Sequence, residues 1–153
     1  MITYKKGNLF DTPDRVIVHG CNAQGVMGSG VAKMIRERFP KAFQRYYEHC
    51  LSSTDKYNNT ADLLGVNVIV SAPHAISGQL YTIHNVITQN RYGKDGKQYV
   101  SYDAVDTGMW SVAMSVGLQA GISMPKIGAG LGGGHWPIIE AIINHRLSRH
   151  KLS

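Results

Sequence analysis

Apolar residues recur along this chain in two rhythms, one of strands and one of helices. Residues 2–6 alternate before Gly7 and Asn8, and residues 15–19 form a short β-branched run; both predict strands, the second buried. Over residues 30–38 the apolar positions Val31, Met34 and Ile35 repeat at helical spacing, and Pro40 ends that helix and opens a short second one over 41–50. Residues 52–62 are polar and carry no period, which predicts a surface loop. The runs 64–70 and 79–87 predict two strands joined across Ala72, Pro73 and His74, followed by a turn over 93–97. Ala104, Val105, Met109, Val112, Ala113, Val116 and Leu118 keep a helical rhythm up to Gly121, with Gly108 as a weak point. A buried strand over 121–125 and a helix over 137–147 complete the pattern.

Strands and helices alternate, so the fold class is α/β. In a layered fold of this kind the last helix ordinarily leads into another strand. Here the sequence reaches its end at His150-Lys-Leu-Ser153, so the final strand is expected to be short or absent. Without internal repeats or a linker, residues 1–153 read as a single domain. At 43% apolar composition that domain can bury roughly two-thirds of its unfolded surface without metal or disulfide staples. Cys21 and Cys50 form no recognisable disulfide or metal pattern. No stretch approaches the roughly 20 apolar residues of a membrane span, and the expectation is a cytoplasmic monomer that engages no membrane.

The formal net charge of +6 favours an anionic partner. The basic residues are scattered in small groups, at Lys5 and Lys6, at Arg91, Lys94 and Lys97, and at Arg146, Arg149 and Lys151. A dense basic stripe interleaved with aromatics, the mark of a nucleic-acid binder, is missing.

Candidate chemistry gathers in two glycine-rich loops about a hundred residues apart, each placed between a strand and a helix. They are His19-Gly-Cys-Asn-Ala-Gln-Gly-Val-Met-Gly-Ser-Gly-Val-Ala32 and Pro125-Lys-Ile-Gly-Ala-Gly-Leu-Gly-Gly-Gly-His-Trp136. Bare glycines let an anion reach backbone N–H groups, and the helix that follows aims its N-terminal donors at it, so a pyrophosphate could be gripped from both sides. The second loop lacks the Gly-Lys-Ser/Thr of a Walker A loop, and Trp136-Pro137 makes it a poor dinucleotide fingerprint. In the first, His19 and Cys21 share one strand face and Asn22 stands at the exit, where α/β sheets bind ligands. Asn22 can hydrogen-bond a sugar hydroxyl, and the His19 imidazole could move a proton near neutral pH. A strand histidine taken alone is more often a hydrogen-bonded core residue. The other histidines lack metal-ligand spacing, so no metal and no cofactor are expected.

Taken with Lys6-Gly-Asn-Leu-Phe10 upstream, the two loops resemble the macrodomain family, which binds ADP-ribose. The likeness runs in order through the Gly7-Asn8-Leu9 corner, the loop and helix from Asn22 to Ala32, the strand end at Thr88, and Met124-Pro-Lys-Ile-Gly-Ala-Gly-Leu131. His19-Gly-Cys-Asn22 and Tyr99-Val-Ser-Tyr-Asp103 look most like the branch of ADP-ribose-1″-phosphate phosphatases and phage-encoded members, which for a phage protein would mean host cytoplasm.

The resemblance implies a three-layer α/β/α domain with a mixed central sheet. It implies that Asn8, where the family often has aspartate, and Leu9 lie near adenine. Asn22 would hold the distal ribose, Met27, Gly28, Ser29, Gly30 and Val31 would wrap the phosphates, and Ile127, Gly128, Ala129, Gly130, Leu131 and Gly132 would cover the pyrophosphate. At its strand end Thr88, with Asn90 and Tyr92, could touch the distal ribose or serve a turn. The implied reaction is hydrolysis of ADP-ribose 1″-phosphate to ADP-ribose and phosphate, slow and metal-independent, with His19 and Asn22 as the catalytic pair. Removal of ADP-ribose from ADP-ribosylated protein or nucleic acid, and non-catalytic reading of ADP-ribose, are the alternatives. Against the lysine–aspartate hydrolases of the family, the matching positions here hold Gln89 and Gly132.

Overall fold

A computed structural model describes residues 2–53 and 60–153. In chain order the elements are β1 (Val16–Asn22), α1 (Gly30–Arg38), α2 (Pro40–Ser53), β2 (Asn67–Pro73), β3 (Leu80–Gln89), α3 (Tyr102–Ser115), β4 (Gly121–Ser123), α4 (Trp136–Arg146) and β5 (Lys151–Leu152). The sheet runs in the order β2-β3-β1-β4-β5, with β1 parallel to both β3 and β4, β5 parallel to β4, and β2 antiparallel to β3 at the edge.

Both faces of this sheet are buried, which explains why β1 and β3 read as nearly continuous apolar runs. Ile17 and Cys21 of β1, with Ile83 and Ile87 of β3, pack under Ile35, Phe39, Ala42 and Tyr46 from the α1–α2 side. Val18 and Val86 point the other way, to Val105, Met109 and Val112 of α3 and Ile139 and Ile143 of α4. The result is a three-layer α/β/α domain. From β1 the chain moves to β2 and β3 on one side, and later to β4 and β5 on the other. The carboxyl ends of β3, β1 and β4 therefore frame a crevice at a topological switch point.

Several elements differ from the periodicity. The alternating run 2–6 is not a strand: Ile2 makes one bridge to Leu152, and Thr3 N–H donates to Leu152 O at 3.1 Å, because β5 offers an edge only two residues long. Instead Asn8 caps a 3-10 turn, Leu9–Asp11. β1 continues through Gly20, where a Cβ would come within 2.9 Å of Thr88 Oγ1 and 3.0 Å of Ile127 Cγ2. The first strand of the 64–87 hairpin starts later, at Asn67, after Gly65 turns the chain at φ +86°. It includes Pro73, tolerated as the last residue of an edge strand. Within the 52–62 loop, Ser52 and Ser53 extend α2 and Ala61–Leu63 form a 3-10 turn; residues 54–59 lie outside the described residues. Gly108 is no weak point, since α3 crosses β3 there and a Cβ would strike Val86.

Candidate functional site

The first loop is shaped by the side chain of Asn22. Its Nδ2 donates to Val26 O at 2.8 Å, while Oδ1 accepts from the N–H groups of Gln24 at 2.9 Å and Val26 at 3.3 Å. The Tyr46 hydroxyl, rising from α2, stands 2.6 Å from Asn22 O and 2.9 Å from Oδ1. One N–H of the carboxamide is left for a ligand. Gln24 ties the loop to the β3 exit by donating to Asn90 O at 2.9 Å. Gly25 and Gly30 carry φ +75° and +61°, which an L side chain adopts only with strain. Ser29, the N-cap of α1, makes no side-chain capping bond. The first N–H groups of α1 have no acceptor inside the helix, so they and the positive dipole end stand ready for an anion.

The second loop closes on itself. Gly134 N–H donates to Gly128 O at 2.8 Å, and Gly132 O accepts from Tyr99 and Val100 N–H at 2.8 and 3.0 Å. Its glycines serve two purposes. A Cβ at Gly128 would meet Val100 at 2.7 Å, one at Gly132 would meet Gly128 O at 2.8 Å, and one at Gly134 would meet Val100 at 2.6 Å, so these positions are bare for packing. A Cβ at Gly130 would meet nothing within 4 Å, and one at Gly28 would meet only Val26 at 3.6 Å; neither glycine has a positive φ. Neither fold nor conformation requires glycine there, and what their bareness keeps open is the crevice.

That crevice has two lobes sharing Val31, Pro125 and Lys126. The lobe between the glycine loops encloses about 770 Å³ and holds Lys94 and Lys126, with no aspartate or glutamate among the described residues of its lining. The other encloses about 680 Å³ and is lined by residues that include Asn8, Leu9, Met34, Met124 and Trp136. Lys126 Nζ lies 5.8 Å from the ring centroids of both Tyr4 and Trp136. Trp136 Nε1 donates to the Tyr4 hydroxyl at 2.9 Å, and that hydroxyl donates to Glu140.

Most residues singled out from the sequence meet at this crevice. His19, Asn22, Gly28, Ser29, Gly30, Val31, Thr88, Ile127, Gly128, Gly130, Leu131 and Gly132 line the loop-flanked lobe, and Asn8 and Leu9 line the other. Asn8 Oδ1 already accepts from Phe10 N–H at 2.9 Å, leaving its amide donors for a ligand. Met27 is a correction: only 1% exposed, its apolar side chain is buried in the core cluster with Ile35 and Phe39 and does not line the crevice. Ala129 belongs to the turn closed onto Lys126 O and is not part of the lining.

His19 is the larger correction. Its ring is 1% exposed, and Nε2 donates to Asn85 Oδ1 at 2.7 Å, while Asn85 Nδ2 donates to Val68 O at 3.1 Å. Burial, partly offset by the Asn85 bond, lowers its pKa to about 4. At neutral pH His19 is an uncharged link between β1 and β3 that contributes to the lobe's lining, with its Nε2 proton engaged by Asn85. Of the basic group Arg91, Lys94 and Lys97, which could attract an anionic ligand or form a solvated loop, only Lys94 lines the lobe; Lys126, between Pro125 and Ile127 at a strand exit, is a site residue the sequence reading misses.

Comparison with known proteins agrees with this geometry. A model of the Macro domain matches residues 18–143. The chain is 28% identical over 169 residues to an ADP-ribose 1″-phosphate phosphatase of Debaryomyces hansenii, spanning 94% of this chain and 93% of that protein. A Candida albicans protein of the same name is 27% identical over 150 residues, spanning 94% and 92%. Among solved structures, the macrodomain of Thermus aquaticus DarG superposes with a TM-score of 0.76 at 24% identity, covering 99% of this chain and 95% of that one, a likeness of fold. With the family model covering most of the chain and the crevice built by the two glycine loops, the protein belongs to the macrodomain family.

Proposed function

We propose that this macrodomain binds ADP-ribose-type ligands along the two-lobed crevice and hydrolyses ADP-ribose 1″-phosphate to ADP-ribose and inorganic phosphate. The observation that carries the reading is the loop-flanked lobe, in which the uncapped α1 N-terminus, the bare Gly28 and Gly130, and two lysines meet with no carboxylate among the described lining residues. Such a lobe suits a ligand carrying several phosphate charges. Near-full-length likeness to relatives named for this activity supports the choice of substrate.

With adenine in the lobe of Asn8 and Leu9, the diphosphate lies over the α1 N-terminus and the distal ribose reaches Asn22. Hydrolysis needs water to attack phosphorus in line, with cleavage of the bond between phosphorus and the 1″ oxygen and transfer of a proton to the departing oxygen. The backbone amides and lysine charge would stabilise the charge developing on the phosphoryl oxygens. With His19 withdrawn, the proton comes from solvent. A positioned acid, worth about 10²–10⁴-fold, is then missing and turnover is slow.

Calorimetry with ADP-ribose and a phosphate-release assay on ADP-ribose 1″-phosphate test the reading. Failure to saturate at millimolar ADP-ribose would defeat the binding claim. Burial of His19 favours one second reading, a non-catalytic ADP-ribose reader, which would bind ADP-ribose and release no phosphate.

A further inference from the structure

We propose that Lys94, in the segment that follows β3, forms a subsite for the terminal phosphate of ADP-ribose 1″-phosphate and so distinguishes this substrate from its product. The inference rests on the functional reading above and adds the residue that selects the ligand's far end.

Lys94 and Lys126 line the loop-flanked lobe, and they stand at different places in it. Lys126 lies at the junction, being shared with the lobe of Asn8. Lys94 lines only the loop-flanked lobe, in the segment that follows β3. A ligand whose adenine occupies the Asn8 lobe and whose diphosphate crosses the α1 N-terminus brings its distal ribose, and the phosphate on it, towards that far end.

Of the three basic residues in this segment, local packing singles out Lys94. Lys97 Nζ is 3.8 Å from Asp95 Oδ2. The same carboxylate accepts from the Tyr99 hydroxyl at 2.8 and 2.9 Å and from Lys97 N–H at 3.2 Å. The Tyr99 bond and the Lys97 N–H hold Asp95 below the usual carboxylate range, so it stays ionised. The turn also rests on the Tyr99 ring, which fills the space that a Cβ on Gly93 would need. Asp95 is thus occupied by Lys97 and Tyr99, while Lys94 lines a lobe with no carboxylate among its described residues and Arg91 lies outside that lining. A phosphomonoester is about doubly charged near neutral pH, whereas ADP-ribose ends in a neutral hydroxyl. Lys94 therefore attracts the substrate's end and loses its partner once phosphate departs.

The test compares wild type, Lys94→Gln and Lys97→Gln with both ligands. Removing one charge-assisted contact should raise the KM, or without turnover the Kd, for ADP-ribose 1″-phosphate about tenfold. The Kd for ADP-ribose should stay within about twofold, and Lys97→Gln should leave both values unchanged. Equal weakening of both ligands by Lys94→Gln, or no change for either, overturns the subsite. If wild type binds ADP-ribose 1″-phosphate in a Lys94-dependent way but releases no phosphate, the subsite stands and the phosphatase reading falls.

Discussion

Replacing Gly130 by valine should abolish most ligand binding while leaving the fold intact. Apart from its chain neighbours, no atom lies within 4 Å of a Cβ at this position, and its φ is outside the left-handed region, so the native backbone accepts a Cβ there. Replacing glycine at a compatible position restricts the unfolded chain and contributes stability of roughly 0.4–1 kcal/mol. The new isopropyl group instead enters the crevice. Loss of one charge-assisted bond from a backbone N–H to a phosphate costs about 1.5–3 kcal/mol, which is a Kd about 10- to 150-fold weaker. Gly134→Ala is the matched opposite: its Cβ would sit 2.6 Å from Val100 Cγ1 and 2.8 Å from both Gly128 O and Ile139 Cδ1. Overpacking of that kind costs about 1–3 kcal/mol, a fall of roughly 2–12 °C in Tm for a domain of this size. Calorimetry with ADP-ribose and thermal melts on both variants read the two effects separately. A Gly130→Val protein that melts several degrees below wild type and still binds ADP-ribose at full affinity would refute the reasoning.

His19→Ala should destabilise the protein by about 2–4 kcal/mol, because it opens a cavity and strips Asn85 Oδ1 of its partner. Denaturant melts check that figure, and phosphate release per folded molecule should stay within a few-fold; a stable variant with a hundredfold slower turnover would restore His19 to the chemistry. Tyr46→Phe removes the hydroxyl that braces Asn22 from behind, and ADP-ribose affinity should fall about 5- to 30-fold in calorimetry, the scale of a 1–2 kcal/mol bond, although Tyr46 does not line the crevice. His19 and His84 are both held by burial at a pKa of about 4, against about 6.5 unfolded. The unfolded chain therefore binds more protons between those values. Their stability is full above about pH 6.5 and is lost as pH falls towards 4, about 2–3 kcal/mol for each histidine. Denaturant midpoints between pH 7 and 4.5 should show this fall; a flat profile would contradict the burial of both rings.

The two loop-to-helix units were legible because each joins an apolar run, a glycine cluster and a helical rhythm, and α1 occupies the residues its spacing predicts, Gly30–Arg38. What escaped the pattern depended on contacts between distant segments. β1 passes through Gly20 because its backbone stays paired with β3 there, and Thr88 and Ile127 leave no room for a Cβ, although a glycine inside a run reads as its end. The alternation over residues 2–6 mimics a strand, yet the short β5 gives it almost nothing to pair with. Met27 lies within a glycine loop in sequence and within the core in space. His19 illustrates the same limit at the site. Its position in the chain suits catalysis, but Asn85, sixty-six residues away, decides which way its ring is used. Likewise, Lys94 lines the lobe while Lys97 is paired with Asp95, a difference that two lysines in one turn do not show in sequence.

Release of inorganic phosphate from ADP-ribose 1″-phosphate, followed in single-turnover conditions with protein in excess, tests the functional proposal most directly. Wild type should release one phosphate per substrate molecule at a slow, saturable rate, and Gly130→Val should release little at the same concentration. Saturable binding of ADP-ribose by wild type without any phosphate release would contradict the proposed reaction and leave the crevice as a binding site alone.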